Sequence, residues 1–467
     1  MGLLPLASMA TPPQDSWRSM AQADGGFVND WIAHQSILAV YPSPDQFASR
    51  LADARRVFET EALRVNTYEG YRQALNHFVG SFQDRHLRIA FSLSPNTINW
   101  PGFFAVYRGG KYFLSSPQAG GPDQAITECD GRPISDWVRQ IATYEQMTYD
   151  LESTNAKAAP LIFRDGGSPF IRRPENCNIA GKDVHLEWQA IAASTFATNV
   201  ANATGFSDRV TAASNFGANG AWVRMGLFSP KTQIEGKAFK QLIAGAGALR
   251  SKSVIVLDVR GNSGGPYEWF MGFLRALYGD DYVNYYARAR LQIAEVYRTT
   301  PAILQYFNSE NTAEIGDLLP PSDGMSPDQG DINYAAALKA GKPVFMLPAN
   351  ARQIPMPAKA PASAVKGKVY VLTDYSCGSA CIAFVDELKK IPGVEQIGVE
   401  TFIDSRPGTP FGASLPSGNG IVSVPIMTRD GRERGDNIPQ KPAHVFMGNM
   451  ADTAAIRAWV ESGFVAK

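Results

Sequence analysis

The pattern of apolar and polar positions divides the chain into three textures. From about residue 14 to 80 apolar side chains recur at near-3.6 spacing. Phe47 to Val65 carries them with mixed charges between, and Tyr68 to Phe82 continues in the same style. That spacing predicts a helical N-terminal region. The period then drops to two over Leu87-Arg88-Ile89-Ala90-Phe91-Ser92-Leu93, as in a half-buried strand. Between about 100 and 200 the chain reads as short strands with turn punctuation. Phe103 to Tyr107, Lys111 to Leu114, and Ala125 to Cys129 before the Asp130-Gly131 turn are the strands, and a helix is predicted from Ser135 to about Tyr149.

After about 215 strands and helices alternate. Ala221 to Gly226 predicts a strand and Gly236 to Leu249 a helix. Ser253 to Val259 is a continuous apolar strand, followed by a Gly-rich turn and a helix from Tyr267 to Leu277. The same unit recurs at Lys368 to Asp374, a turn, and a helix from Ala380 to Lys390. Buried strands without alternation, each leading through a turn into a helix, mark parallel α/β architecture. Between the two units, 319–364 holds eight prolines, an irregular excursion of the kind that serves as a lid or binding loop. The expected division is 1–95, 96–200 and 201–467.

Composition removes several function classes. The 44 basic and 44 acidic residues cancel, so no basic excess tracks a phosphate backbone and no nucleic-acid partner is expected. No stretch approaches about 18 uninterrupted apolar residues, so no membrane span is expected. Cys129, Cys177, Cys377 and Cys381 do not form two C-x-x-C pairs, and neither a metal nor another cofactor is expected. An even cysteine count suits two disulfides in an oxidising compartment or four buried thiols, with three pairings open. Met1 to Ala10 has a short apolar run ending in small residues without a basic flank. It reads as the tail of a signal peptide, which points to a periplasmic or extracellular location.

Two serine elbows compete for the chemistry. Gly261-Asn262-Ser263-Gly264-Gly265-Pro266 satisfies G-x-S-x-G between a strand and a helix. Ser263 with His444 downstream is the α/β-hydrolase (esterase) reading. The second elbow is Tyr375-Ser376-Cys377-Gly378-Ser379-Ala380-Cys381. It sets Ser379 at a strand's carboxyl end and a helix N-terminus, where free N–H groups stabilise an oxyanion. The glycines of the first elbow then have another use. Without Cβ atoms, Gly264 or Gly265 can point an amide at a carbonyl oxygen beside Ser379.

These segments resemble the carboxy-terminal processing (tail-specific) serine peptidases and the tricorn core. Leu257 to Gly265 is similar to their D-x-R-x-N-x-G-G segment. Val371 to Ala380 with Gly398-Val399-Glu400-Thr401 is similar to their nucleophile segment and following G-E-x-T strand. The resemblance implies a crotonase/ClpP-like α/β core with a helical N-terminal region and a β-rich, PDZ-like module. The function it implies is a serine peptidase acting on peptides or unfolded protein near chain ends. Many members place a Lys just after G-E-x-T. Here the stretch reads Thr401 to Gly408 with Arg406, which does not deprotonate. Tricorn-like members use Ser, His and Glu, and Asp84-Arg85-His86 resembles their D-x-H-like segment. His86 is therefore the candidate base, the alternative being a strand-edge histidine hydrogen-bonded to Asp84. Glu433, six positions before Pro439, is the candidate third member, with Asp436 as substitute. His34, His77 and His185 read as helix-face or surface residues. The expected oxyanion donors are Gly264 or Gly265 together with Ala380. A second class stays open: a peptide-binding protein with an eroded site. Nothing in the sequence fixes the oligomeric state.

Overall fold

The computed structural model describes residues 14–117, 124–204, 209–286, 293–310, 334–348 and 357–465. Helices α1 (Gln14–Gln35), α2 (Pro44–Ala62) and α3 (Tyr68–Gly80) form where the 3.6 period predicts them. Pro44 starts α2 where a missing N–H costs nothing, and Thr67 caps α3 by accepting from the Gly70 amide at 3.1 Å. Strand β1 (Arg88–Phe91) follows.

The middle of the chain supplies β2 (Thr97–Trp100), β3 (Phe104–Arg108), β4 (Lys111–Ser115), β5 (Ile126–Cys129) and β6 (Arg132–Pro133). Helices α4 (Ile134–Tyr144) and α5 (Glu152–Ala158) come next. Strands β7 (Asn176–Ile179), β8 (Lys182–His185) and β9 (Gln189–Ala192) and helix α6 (Ala193–Thr204) complete the segment. Three small antiparallel sheets enclose one apolar cluster containing Trp100, Phe104, Trp137 and Phe163. A disulfide joins Cys129 to Cys177, which face each other across β5 and β7.

The remaining elements are β10 (Thr211–Phe216), β11 (Gly220–Met225), α7 (Gln233–Gly245), β12 (Val254–Asp258), α8 (Tyr267–Tyr278), α9 (Asp280–Tyr286) and β13 (Ala294–Arg298). Then come α10 (Pro301–Glu310), β14 (Val344–Leu347), β15 (Lys368–Thr373), α11 (Ala380–Leu388) and β16 (Val394–Gly398). The chain closes with β17 (Pro407–Ser414), β18 (Gly420–Asp430), β19 (His444–Val445) and α12 (Thr453–Val460). One sheet runs β10-β11-β12-β15-β16-β19, parallel except for β10. Helices α7, α8 and α11 pack Phe239, Trp269, Phe273 and Phe384 on one face, and α12 sets Ile456 and Val460 against Trp222 and Tyr370 on the other. Burial on both faces is why β12 and β15 read as unbroken apolar runs. The protein is mixed α/β.

A second, antiparallel sheet runs β1-β18-β13-β14, with β17 also on β18. It joins what the sequence separates. Strand β1, at the end of the expected first region, pairs Arg88 with Ser423 of β18, and the N-terminal helices bury their apolar faces against Val422, Val424 and Ile426. The Pro-rich excursion, expected to be irregular, contributes β14 to this sheet. Much of that excursion, and Met1 to Ala10, lie outside the described residues.

A buried charge cluster docks α3 onto the middle segment. Glu69 meets Arg72 at 2.7 Å and Arg164 at 2.8 Å, and Arg72 donates to Glu145 at 2.6 Å. Burial alone raises the Glu69 carboxyl, but the Arg72 and Arg164 guanidiniums outweigh it and hold the carboxyl at about 2. Because the folded-state value is depressed, this contribution is complete above the ordinary Glu value of about 4.3 and is lost as pH falls toward 2. Glu69→Gln is therefore expected to lower Tm by several degrees at pH 7. The gap to wild type closes as pH is lowered from about 4.5 to about 2. Thermal unfolding across pH checks this, and a gap that stays constant overturns it.

Candidate active site

Strands β12 and β15 lie side by side and parallel, with Asp258 opposite Leu372, so the two Ser-containing turns leave the sheet at the same edge. The first turn is pinned from below. Arg260 and Asp258, both fully buried, meet at 2.7 Å, and Arg260 also donates to the Met450 carbonyl at 2.7 Å and Thr453 Oγ1 at 3.1 Å. Trp222 Nε1 donates to Asp258 Oδ2 at 3.0 Å. The two turns are then tied to each other. Asp374, whose carboxyl burial raises above its ordinary value, accepts from the Gly261 amide at 2.9 Å and the Ser376 amide at 3.0 Å.

Ser379 stands at the head of α11 with φ 55° and ψ −124°. A non-glycine residue there stores strain of about 1–3 kcal/mol and needs surroundings that over-determine it. They are present: Cys377 and Cys381 are disulfide-bonded around the turn, and the Gly378 amide donates to the Asn262 carbonyl at 3.4 Å. This is the backbone geometry of a nucleophile elbow. Gly264, at φ 104°, packs directly on it: a Cβ there would stand 2.7 Å from the Gly378 carbonyl oxygen, 2.8 Å from the Ala380 nitrogen and 2.8 Å from Ser379 Cβ. Gly265, at φ 145°, has no room either, because its Cβ would meet the Phe228 backbone. The Gly264 amide, however, donates to Asn262 Oδ1 at 2.9 Å. Of the two glycines, Gly265 is the one whose amide has no partner among the described residues, as is also true of Ala380.

His86 lies mostly buried in the loop before β1. Its Nδ1 is 3.6 Å from Asp84 Oδ1 and 3.4 Å from Ser405 Oγ. Asp84 is itself held, accepting from the His86 amide and from Ser405 Oγ, each at 2.8 Å. Asp404 is next to Ser405. Burial opposes its charge, but His86 with Arg429, Arg432 and Arg434 holds its carboxyl below the ordinary value. The preceding residue links this loop to the nucleophile, since the Arg85 guanidinium lies against Gly378. Ser379 Oγ and His86 make no hydrogen bond among the described residues, a gap that bound substrate closes in many hydrolases.

Glu433 does not stand at the imidazole. Its side chain is 74 % exposed and pairs with Lys390 at 3.3 Å, on the rim of a cavity of about 430 Å³ that Arg429 and Arg432 also line. The cause lies in its neighbours: in this turn Arg432 and Arg434, each 8 % exposed, reach inward to Asp404 and Asp386, and Glu433 between them points out. Asp436 is occupied by Arg406 and Arg432. Asp84 and Ser405 are the groups that stand at the imidazole instead. Asp84 was legible only as a hydrogen-bond partner of His86, and Ser405, 319 positions from His86, left no signal. Ser263 sits on the exposed turn after β12, while His444 lies on β19, three strands across the sheet from β12, and bonds Glu395 at 3.2 Å. Among the described residues no group of three His, Cys, Asp or Glu stands where it would hold a metal ion. No described helix is long and apolar enough to cross a membrane.

Residues 221–427 match the model of peptidase family S41. The chain carries a peptidase family S41 domain. It is a hydrolase, a serine-type peptidase. No relative matches among curated proteins. Among solved structures it is similar to mature CPAF, with 14% identity, a TM-score of 0.62 and 96% of each chain covered. The complex of mature CPAF with lactacystin gives the same identity and TM-score, covering 96% of this chain and 97% of that one. Likeness at that identity speaks for the fold. The S41 match contains both elbows and most of β18, but His86 and Asp84 lie outside it, in the loop that β1 ties to the domain.

If Asp84 orients the imidazole, Asp84→Asn lowers kcat roughly 100-fold or more and moves the acid limb of the pH–rate profile to lower pH. Glu433→Gln stays within about twofold of wild type, as exposed substitutions do. Steady-state hydrolysis of a peptide across pH decides, and the reverse ranking restores Glu433.

Proposed function

We propose that this peptidase cleaves peptide bonds near unstructured chain ends or in short peptides, with Ser379 as nucleophile and His86 as base. Asp84, helped by Ser405, holds the imidazole, and the amides of Gly265 and Ala380 receive the oxyanion. The observation that carries the reading is the strained Ser379 elbow packed on the backbone of Gly264. In this scheme His86 takes the Ser379 proton as Oγ attacks the scissile carbonyl. The tetrahedral oxygen is stabilised by the two amides and by the N-terminal end of α11. Collapse expels the amine, which takes the proton from His86, and water repeats the sequence on the acyl-enzyme.

The finer architecture belongs to the same proposal. The six-stranded sheet is read as a crotonase/ClpP-like core, and residues 96–200 as a PDZ-like module that admits chain ends. Two disulfides suit an oxidising compartment, periplasmic or extracellular. One observation favours a second reading: without a Ser379–His86 hydrogen bond, a peptide-binding protein that does not turn over is the rival. Fluorophosphonate labelling separates them. The expected result is an adduct on Ser379 that is absent in Ser379→Ala and strongly reduced in His86→Ala, with turnover in Ser379→Ala down about 10⁴-fold or more. An adduct on Ser263 instead supports the esterase reading, and no adduct supports the binder.

A further inference from the structure

The cavity of about 430 Å³ that Glu433 borders begins beside the proposed catalytic site. Ala383 lines it, and the Ala383 amide donates to the Ser379 carbonyl at 3.1 Å. Those two residues are one turn of α11 apart, about 6 Å along its axis. Tyr267, two residues beyond Gly265, lines it as well, and so does Asp404, next to the Ser405 that touches His86. The nucleophile helix, the glycine turn and the loop at the imidazole thus each give the cavity a wall. It lies within a side chain's length of a peptide bond held at Ser379.

Another wall is a cross-strand pair. Glu295 of β13 and Arg429 of β18 are register partners in the antiparallel ladder, and both line the cavity. Opposite charges placed this way commonly meet across the strands. Here neither an ion pair nor a hydrogen bond joins them among the described residues. The Arg429 guanidinium stands 5.7 Å from the centroid of the Tyr267 ring and has no hydrogen-bond acceptor among the described residues. Glu295 Oε2 accepts from Tyr297 Oη at 2.7 Å, while Oε1 accepts from nothing described.

Counter-charge is not what this pair lacks. Five cationic and five acidic side chains line the cavity. Burial opposes the Arg429 charge, but Tyr267, Asp404 and Glu295 outweigh it and hold the guanidinium above its ordinary value. Other charged groups of the lining are committed: Lys389 to Gln440, Lys390 to Glu433, Arg432 to Asp404 and Arg434 to Asp386. What stays open is a set of N–H donors beside one carboxylate oxygen. A group that meets both carries an acceptor and a donor side by side, without net charge. A primary carboxamide has that form. A carboxylate would meet Arg429 but bring no donor to Glu295, and an ammonium would do the reverse.

We propose that this cavity is a side-chain pocket that selects a carboxamide, glutamine or asparagine, beside the scissile bond. The carboxamide oxygen accepts from Arg429, and its NH₂ group donates to Glu295 Oε1. The inference deepens the peptidase reading and rests on it for the position of the bond.

The test is digestion of a mixed peptide library by the full-length enzyme, with every cut site read by mass spectrometry. At one position flanking the bond, Gln or Asn is expected to be cut about tenfold or more faster than Glu, Lys or Leu, since a site built to hydrogen-bond a side chain rejects those that lack the partner groups. Glu295→Gln, which leaves the Arg429 charge without its neighbour, moves the preference at that position toward Glu. Arg429→Met removes it; should that variant fail to fold, the wild-type and Glu295→Gln profiles still decide. Cutting with no preference for Gln or Asn overturns the inference, as does a wild-type preference for Glu or Lys, or a carboxamide preference that Glu295→Gln leaves unchanged. A protein that cuts nothing and takes no fluorophosphonate adduct on Ser379 fails as a peptidase, a result distinct from cutting without preference.

Discussion

The site depends on one clasp between two turns. Asp374 closes β15 and Asn262 lies just beyond β12, and between them they connect every backbone element near Ser379. Asp374 holds the amides of both turns. Asn262 accepts from Gly264 and, through its carbonyl, from Gly378, while its Nδ2 donates to the Met225 carbonyl at 2.9 Å. A left-handed Ser379 is tolerable only because this network, buried and fully engaged, has no cheaper arrangement. The parallel sheet sets the clasp up: adjacent strands in register end at the same level, so both turns are presented at one edge.

The parts of this arrangement that rest on short-range pattern were legible in the sequence. Period 3.6 gave α1 to α3, the apolar runs gave β12 and β15, and the glycines of the first turn pointed to close backbone approach. Pairing that crosses hundreds of residues was not legible. Nothing local says that β1 joins β18, that β14 emerges from a Pro-rich stretch, or that Ser405 reaches His86. Glu433 failed for a specific reason. Spacing to Pro439 located the segment, but orientation in a turn depends on which residues find buried partners, and Arg432 and Arg434 found Asp404 and Asp386. The choice between the Gly264 and Gly265 amides was not legible either, since the use of Gly264 by Asn262 is a matter of turn geometry and not of residue type.

Zero net charge hides how unevenly charge is used inside. Glu69, Asp258 and Asp404 each sit buried among guanidiniums. Removing one member of a buried pair strands its partner, typically at a cost of about 3–5 kcal/mol, so these clusters fix how the segments dock. Lys157 and Arg85 instead share the Phe402 ring, where the three segments meet.

His86 lies outside the S41 domain, on a loop tied down by β1, while Ser379 and the amides of Gly265 and Ala380 lie at one end of the α/β sheet. The elbow is held within the sheet and by its own disulfide, and the other two segments touch it through Arg85 at Gly378 and Glu152 at Tyr375. The imidazole is held differently, by Asp84 and Ser405 from the loops before β1 and β17. The strain at Ser379 and the orientation of the His86 ring are therefore set largely by different contacts. If His86 is the base, as proposed, the docking of α1 to α3 that places its loop bears on turnover as well as on stability.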